Sequence, residues 1–255
     1  MRMTVALTPR MLREPRDHAV AVVDVLRATT SIVTMLEGGL LRAIVSDNIQ
    51  QARKLALANF SLLCGEVRSR PPAGFDYGNS PAEFAELSFR GKSAVMMTTN
   101  GTKALSAASA APVVLAAALT NRRAAARRLV DEAARRGIDA AVVCAGVERG
   151  TAFSLEDTAA AGAVVDAARE HDATIALTDE AWAALHLWRW YRGDALRMFG
   201  QSSHGRSLRE LGFEGDLRYA AQLDIFESVP VLYRDGDVKV LRVRAPRDEK
   251  SEVSG

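Results

Sequence analysis

The stretch VAVVDVL, residues 20 to 26, decides the fold. It is a short, nearly continuous apolar run rich in valine, which reads as a strand buried on both faces, and such strands belong to parallel sheets covered by helices. Five further runs share its character: RAIVS (42 to 46), SLLCGE (61 to 66), SAVMMTT (93 to 99), PVVLAAA (112 to 118) and DAAVVCAG (139 to 146). Helix-like segments lie between most of them. The alternation predicts an α/β fold of three layers, α/β/α, around a largely parallel sheet. Beyond Glu170 come helices around DEAWAALHLWRWY, a Gly-punctuated stretch GQSSHGRSLRELGF, and the strand candidates VPVLY and DVKVLRV. These either complete the sheet or form a small C-terminal lobe. One domain is expected over residues 1 to 245, and disorder over the charged tail 246 to 255.

The bulk numbers narrow the function classes. A chain of 255 residues with 48% hydrophobic content can bury a substantial core. Lys+Arg 33 against Asp+Glu 31 leaves a net charge of +2, so no general field attracts nucleic acid or an anionic membrane. Cys64 and Cys144 both lie in strand-like runs and read as buried thiols, which excludes a disulfide scaffold. No run approaches the roughly 18 apolar residues of a membrane span, and MRMTVALTPR has no sustained apolar segment. A soluble, cytoplasmic protein is expected.

In an open α/β sheet, ligands bind where strand ends enter the following helices. The first strand delivers Asp24, then Arg27, Ala28, Thr29 and Thr30. A carboxylate ending an apolar strand is costly to bury without a cation or donors, which marks Asp24 as functional, with Arg27 as a possible ion-pair partner. Thr29 or Thr30 also fits a simple N-cap. The third strand ends in Gly65 and Glu66. In GFDYGNSPAEF (74 to 84), Ser80 and Glu83 fit a capping box, leaving Asp76 and Asn79 without a local duty beyond the turn. TTNGTKAL (98 to 105) suggests a phosphate cradle, with Asn100 and Gly101 suited to positive φ and Thr102 at the helix entry. Its spacing to Lys103 is not that of a Walker A loop. After Gly146, Ser154 caps a helix whose first turn holds Glu156 and Asp157 as candidate metal ligands. Carboxylates for a divalent cation, a guanidinium and helix-start amides together suit a phosphate ester.

Other features have plainer readings. The Arg pairs 122/123, 127/128 and 135/136 fit the solvated face of an Ala-rich helix, not a nucleic-acid surface. Trp182, Trp188, Trp190 and Tyr191 fit core or a subunit interface, so a homodimer is compatible with the sequence. Four scattered histidines show no zinc-ligand spacing.

DVLRATTSIVT, GE followed by GFDYGNSPAEF, TTNGTKAL, CAG with FSLED, and SSHGRSLRELGFEGDLRYAAQLDIFESVPVL occur in this order. Together, over about Val20 to Tyr233, the chain resembles the 2-phosphosulfolactate phosphatase family. The resemblance implies an α/β/α enzyme that uses Mg2+ to hydrolyse 2-phospho-3-sulfolactate to 3-sulfolactate and phosphate, a step of coenzyme M biosynthesis. It implies catalytic roles among Asp24, Arg27, Glu66 and Asp76, and metal binding by Asp24, Glu66, Glu156 and Asp157. Substrate contacts are implied for Thr29, Thr30, Asn79, Ser80, Asn100, Gly101, Thr102 and Gly146, with Ser203, Gly205 and Arg206 at the sulfonate end. Another phosphorylated 2-hydroxy acid as substrate, a non-catalytic phospho-acid sensor, and an isomerase or lyase are the alternatives.

Overall fold

A computed structural model describes residues 1 to 243; the expected disorder of 246 to 255 lies outside the described residues. The strands are β1 (Arg2–Ala6), β2 (His18–Val23), β3 (Arg42–Ser46), β4 (Leu62–Gly65), β5 (Ser93–Met97), β6 (Val113–Ala117), β7 (Asp139–Cys144), β8 (Ala176–Leu177), β9 (Val231–Asp235) and β10 (Val238–Arg242). The helices are α1 (Ala28–Glu37), α2 (Ile49–Ala58), α3 (Pro81–Ala85), α4 (Gly101–Ala108), α5 (Arg122–Arg136), α6 (Leu155–His171), α7 (Asp179–Trp190), α8 (Ala195–Gln201), α9 (Ser203–Glu210) and α10 (Glu214–Ala220).

One sheet contains all ten strands in the order β4-β5-β3-β10-β9-β6-β2-β7-β1-β8. Within β4-β5-β3 and within β6-β2-β7-β1-β8 every pairing is parallel. The β9–β10 hairpin joins these blocks through three antiparallel pairings, so the blocks run in opposite directions along the local sheet. The last two strand candidates thus complete the sheet from its middle, while α8 to α10 pack on α6 and α3. The α/β expectation holds, with this mixed centre as its refinement. β1, which the apolar-run reading passed over, adds a strand between β7 and β8 with Met3, Val5 and Ala6 buried.

The pleat sorts each strand onto two faces. In β2, Ala19, Ala21 and Val23 point into the core under α5 and α6, and Val20 and Val22 into the core around α1 and α4. That second core also takes Ala43 and Val45 of β3 and Ala94 and Met96 of β5. Both blocks therefore close on α1 and α4, while α2 covers the other face of β3, β4 and β5 through Ile44, Val95 and Met97. This shared layer brings the ends of β2, β4, β5 and β7 together despite the change of direction. No helix among the described residues is long and apolar enough to cross a membrane.

Candidate active site

β2 runs out at Val23, and Asp24 follows with 6% of its surface exposed. Its backbone carbonyl accepts the Thr29 N–H (3.0 Å), and its Oδ1 accepts the Ala28 N–H (3.2 Å). Asp24 thus satisfies the start of α1 with its own atoms. Oδ2 carries no protein hydrogen bond among the described residues and faces Gly101, where a Cβ would come within 2.5 Å of it. Gly101 is required by this close approach; contrary to the expected positive φ, it adopts none, and Asn100 has φ −119°. Burial pushes the Asp24 carboxyl up to about 7; the Ala28 N–H and Arg27 oppose the rise, and the charges of Glu66 and Glu156 add to it.

Thr29 and Thr30 are fully buried and serve the backbone. The Thr29 hydroxyl accepts the Asp24 N–H (3.0 Å) and donates to the Asp24 carbonyl (2.9 Å), and the Thr30 hydroxyl donates to the Val25 carbonyl (2.8 Å). Arg27 does not pair with Asp24. Its guanidinium is 2.6 Å from Asp216, donates to the Ser69 carbonyl (3.0 Å) and lies 4.3 Å over the Phe213 ring. Asp216 also accepts from the Ser80 hydroxyl and the Ala82 N–H, so Ser80, the N-cap of α3, belongs to this buried network.

A cavity of about 290 Å³ opens over Asp24, lined also by Arg27, Glu66, Arg68, Asn79, Thr99, Asn100, His204 and Ser207. Glu66 is held by two amides, from Thr99 (2.7 Å) and Ser69 (2.8 Å). The amides of Asn100, Gly101 and Lys103 at the start of α4 have no protein acceptor among the described residues and remain free for an anion. Thr102 is fully buried and closes the turn on Thr98 (N–H to hydroxyl, 3.1 Å). Asn79 is buried with its Oδ1 unpartnered, while the Asn100 side chain accepts the Arg149 N–H (2.9 Å).

Several sequence candidates lie elsewhere. Asp76 is exposed and accepts the Leu63 N–H (2.7 Å), because the loop around it runs beside β4 and covers the sheet edge, whose backbone donors need partners. Ser203 and Arg206 point outward on α9, Arg206 donating to the Gln201 carbonyl (2.6 Å), and Gly205 makes room for the Phe199 carbonyl where α8 meets α9. The same helix instead turns His204 and Ser207 to the cavity, and burial holds the His204 ring below the usual histidine range, against the charges of Glu156 and Glu66. Arg122, read as part of a solvated face, is buried against Asp224 (2.9 Å).

Ser154 caps α6 as its spacing predicts, accepting the Asp157 N–H. The Asp157 carboxylate straps two strand ends together, accepting the Val25 N–H and the Gly146 N–H (3.0 Å each). Burial, then Asp24 and Glu156, push its carboxyl well above the usual carboxylate range. Glu156 is equally buried, and its side chain makes no hydrogen bond among the described residues. Cys144 sits in the core, where burial pushes its thiol up.

Uncompensated buried carboxylates fit a hard divalent cation. Asp24 and Glu156 offer free oxygens, with Glu66 at the rim. Among the described residues, however, no three His, Cys, Asp or Glu side chains form a ready cation cage. The fit is to an ion that keeps waters and takes one or two carboxylates plus ligand oxygens.

Groups converging from several strand and helix ends onto one small polar cavity define an α/β enzyme site. The sequence model described as 2-phosphosulpholactate phosphatase matches residues 5–235. Relatives named "Probable 2-phosphosulfolactate phosphatase" occur in Thermosynechococcus vestitus (42% identical, covering 84% of this chain and 88% of that one) and Pseudothermotoga lettingae (35%, 89% and 96%). Another is found in Symbiobacterium thermophilum (37%, 89% and 96%). The chain belongs to the 2-phosphosulfolactate phosphatase family.

Proposed function

We propose that this enzyme hydrolyses 2-phospho-3-sulfolactate to 3-sulfolactate and phosphate, with Mg2+ held by Asp24 and Glu156. The substrate is the one after which its relatives are named. The observation that carries the reading is Asp24 Oδ2, which has no hydrogen-bond partner among the described residues and faces the start of α4, where three amides likewise lack acceptors among those residues. Mg2+, when bound, neutralises charge on the phosphoryl oxygens. The Asn100, Gly101 and Lys103 amides donate to those oxygens and hold the group in place. Glu66, fixed by two amides, presents a carboxylate at the cavity rim that orients the attacking water. The water oxygen bonds to phosphorus as the ester P–O bond breaks, and a proton reaches the departing hydroxyl oxygen. Arg27, already neutralised by Asp216, acts as a positioning residue that fixes the Ser69 turn.

The test is phosphate release from a panel of sulfonated and carboxylated 2-phospho acids, with Mg2+ and with a chelator. Release that favours 2-phospho-3-sulfolactate and stops on chelation is expected. Ligand-dependent stabilisation without release would instead indicate a sensor.

A further inference from the structure

The cavity wall carries two guanidinium groups, and they differ in state. Arg27 is buried and ion-paired with Asp216. Arg68 is exposed, and among the described residues it makes neither an ion pair nor a side-chain hydrogen bond. Its position is nonetheless built. The turn from Val67 to Arg70 closes through reciprocal backbone bonds (2.9 and 3.3 Å). Two charged residues of the site then hold its tip: Glu66 accepts the Ser69 N–H, and Arg27 donates to the Ser69 carbonyl. Arg68 and Ser69 both adopt left-handed backbone, φ 52° and 65°. For residues other than glycine this costs on the order of 1 kcal/mol each and persists where the surroundings enforce it.

The electrostatics ask for a cation there. A phosphorylated acid brings a second negative group into a cavity whose own charges include Asp24 and Glu66, and the phosphoryl end is served by the α4 amides. We propose that Arg68 receives the acidic group that is not transferred, and thereby selects phosphorylated acids over simple phosphate monoesters. A guanidinium suits this role because its parallel N–H groups match two oxygens of a carboxylate or sulfonate. The assignment rests on the phosphatase reading above. It replaces Arg206, which faces away from the cavity, as the residue for the distal acid.

The experiment compares wild type, Arg68→Gln and Arg68→Lys. It measures kcat and KM for 2-phospho-3-sulfolactate and for p-nitrophenyl phosphate, and calorimetric binding of 3-sulfolactate. Arg68→Gln is expected to raise KM for the sulfonated substrate at least tenfold with a much smaller change in kcat. The ratio of kcat/KM between the two substrates then falls at least tenfold, and Lys restores part of it. Equal losses on both substrates, or an unchanged KM for the sulfonated one, would overturn the proposal. Should wild type release phosphate from neither compound, the phosphatase reading falls, and the 3-sulfolactate titration still decides Arg68. Binding at least tenfold weaker in Arg68→Gln upholds it; equal or absent binding in both proteins overturns it.

Discussion

Asp24 stands one residue beyond a strand that is buried from Ala19 to Val23, and its chemistry follows from that address. Because burial raises its folded pKa from 3.8 to about 7, the folded protein holds this proton more tightly than the unfolded chain. The stability this contributes is complete below about pH 4 and is lost as pH rises through about 7. The shift corresponds to about 4 kcal/mol. In chelator, Asp24→Asn should therefore gain thermal stability over wild type between pH 5 and pH 8; a variant less stable than wild type at pH 8 contradicts the account. Asp216→Asn should act oppositely, because it leaves Arg27 buried without its counter-charge and costs roughly 3–5 kcal/mol, read by urea denaturation. Asp24 was legible in the sequence because a carboxylate ending an apolar run is conspicuous. Asp216 was not: 189 residues separate it from Arg27, and nothing in the local sequence distinguishes this buried acid from the acids on the surface. Asp76 misled for the converse reason, since a loop carboxylate without a local duty can serve a distant sheet edge.

Helix faces decide which residues reach the cavity. On α9, Gly205 and Leu208 are buried and Ser203 and Arg206 exposed, so the cavity stripe is His204, Ser207 and, just past the helix, Leu211. The phase of those apolar positions was readable in SSHGRSLREL, but a motif taken whole does not say which side faces inward. Arg206→Ala should leave kcat/KM within about twofold, whereas His204→Ala should lower it at least tenfold; comparable losses would show that the stripe has been misassigned. Between α6 and α7, Gly162 lies so close that an added Cβ would overlap the Ala184 carbonyl oxygen. Gly162→Ala should therefore separate the helices and lower the melting temperature, at a cost of about 1–3 kcal/mol or more, while folded protein at low temperature keeps its KM. The capping of α3 and α6 by Ser80 and Ser154 was legible, because such signals lie within four residues.

Across the whole molecule, the alternation of apolar runs and helices revealed the α/β class, but not the β9–β10 hairpin at the sheet's centre. Strand order is a long-range property: β10 pairs with β3, nearly two hundred residues earlier. Since the hairpin pairs with both blocks and α1 and α4 sit in a core they share, both blocks should melt in one calorimetric transition; two resolved transitions would contradict this coupling. The chemistry depends on the same closure, which sets Asp24 against the start of α4. The most direct test of that claim is phosphate release from 2-phospho-3-sulfolactate by wild type and Asp24→Asn across a magnesium titration. Magnesium-dependent release by wild type and a loss of at least about a hundredfold in the variant are predicted; undiminished release by Asp24→Asn, or wild-type release that persists in chelator, would contradict it.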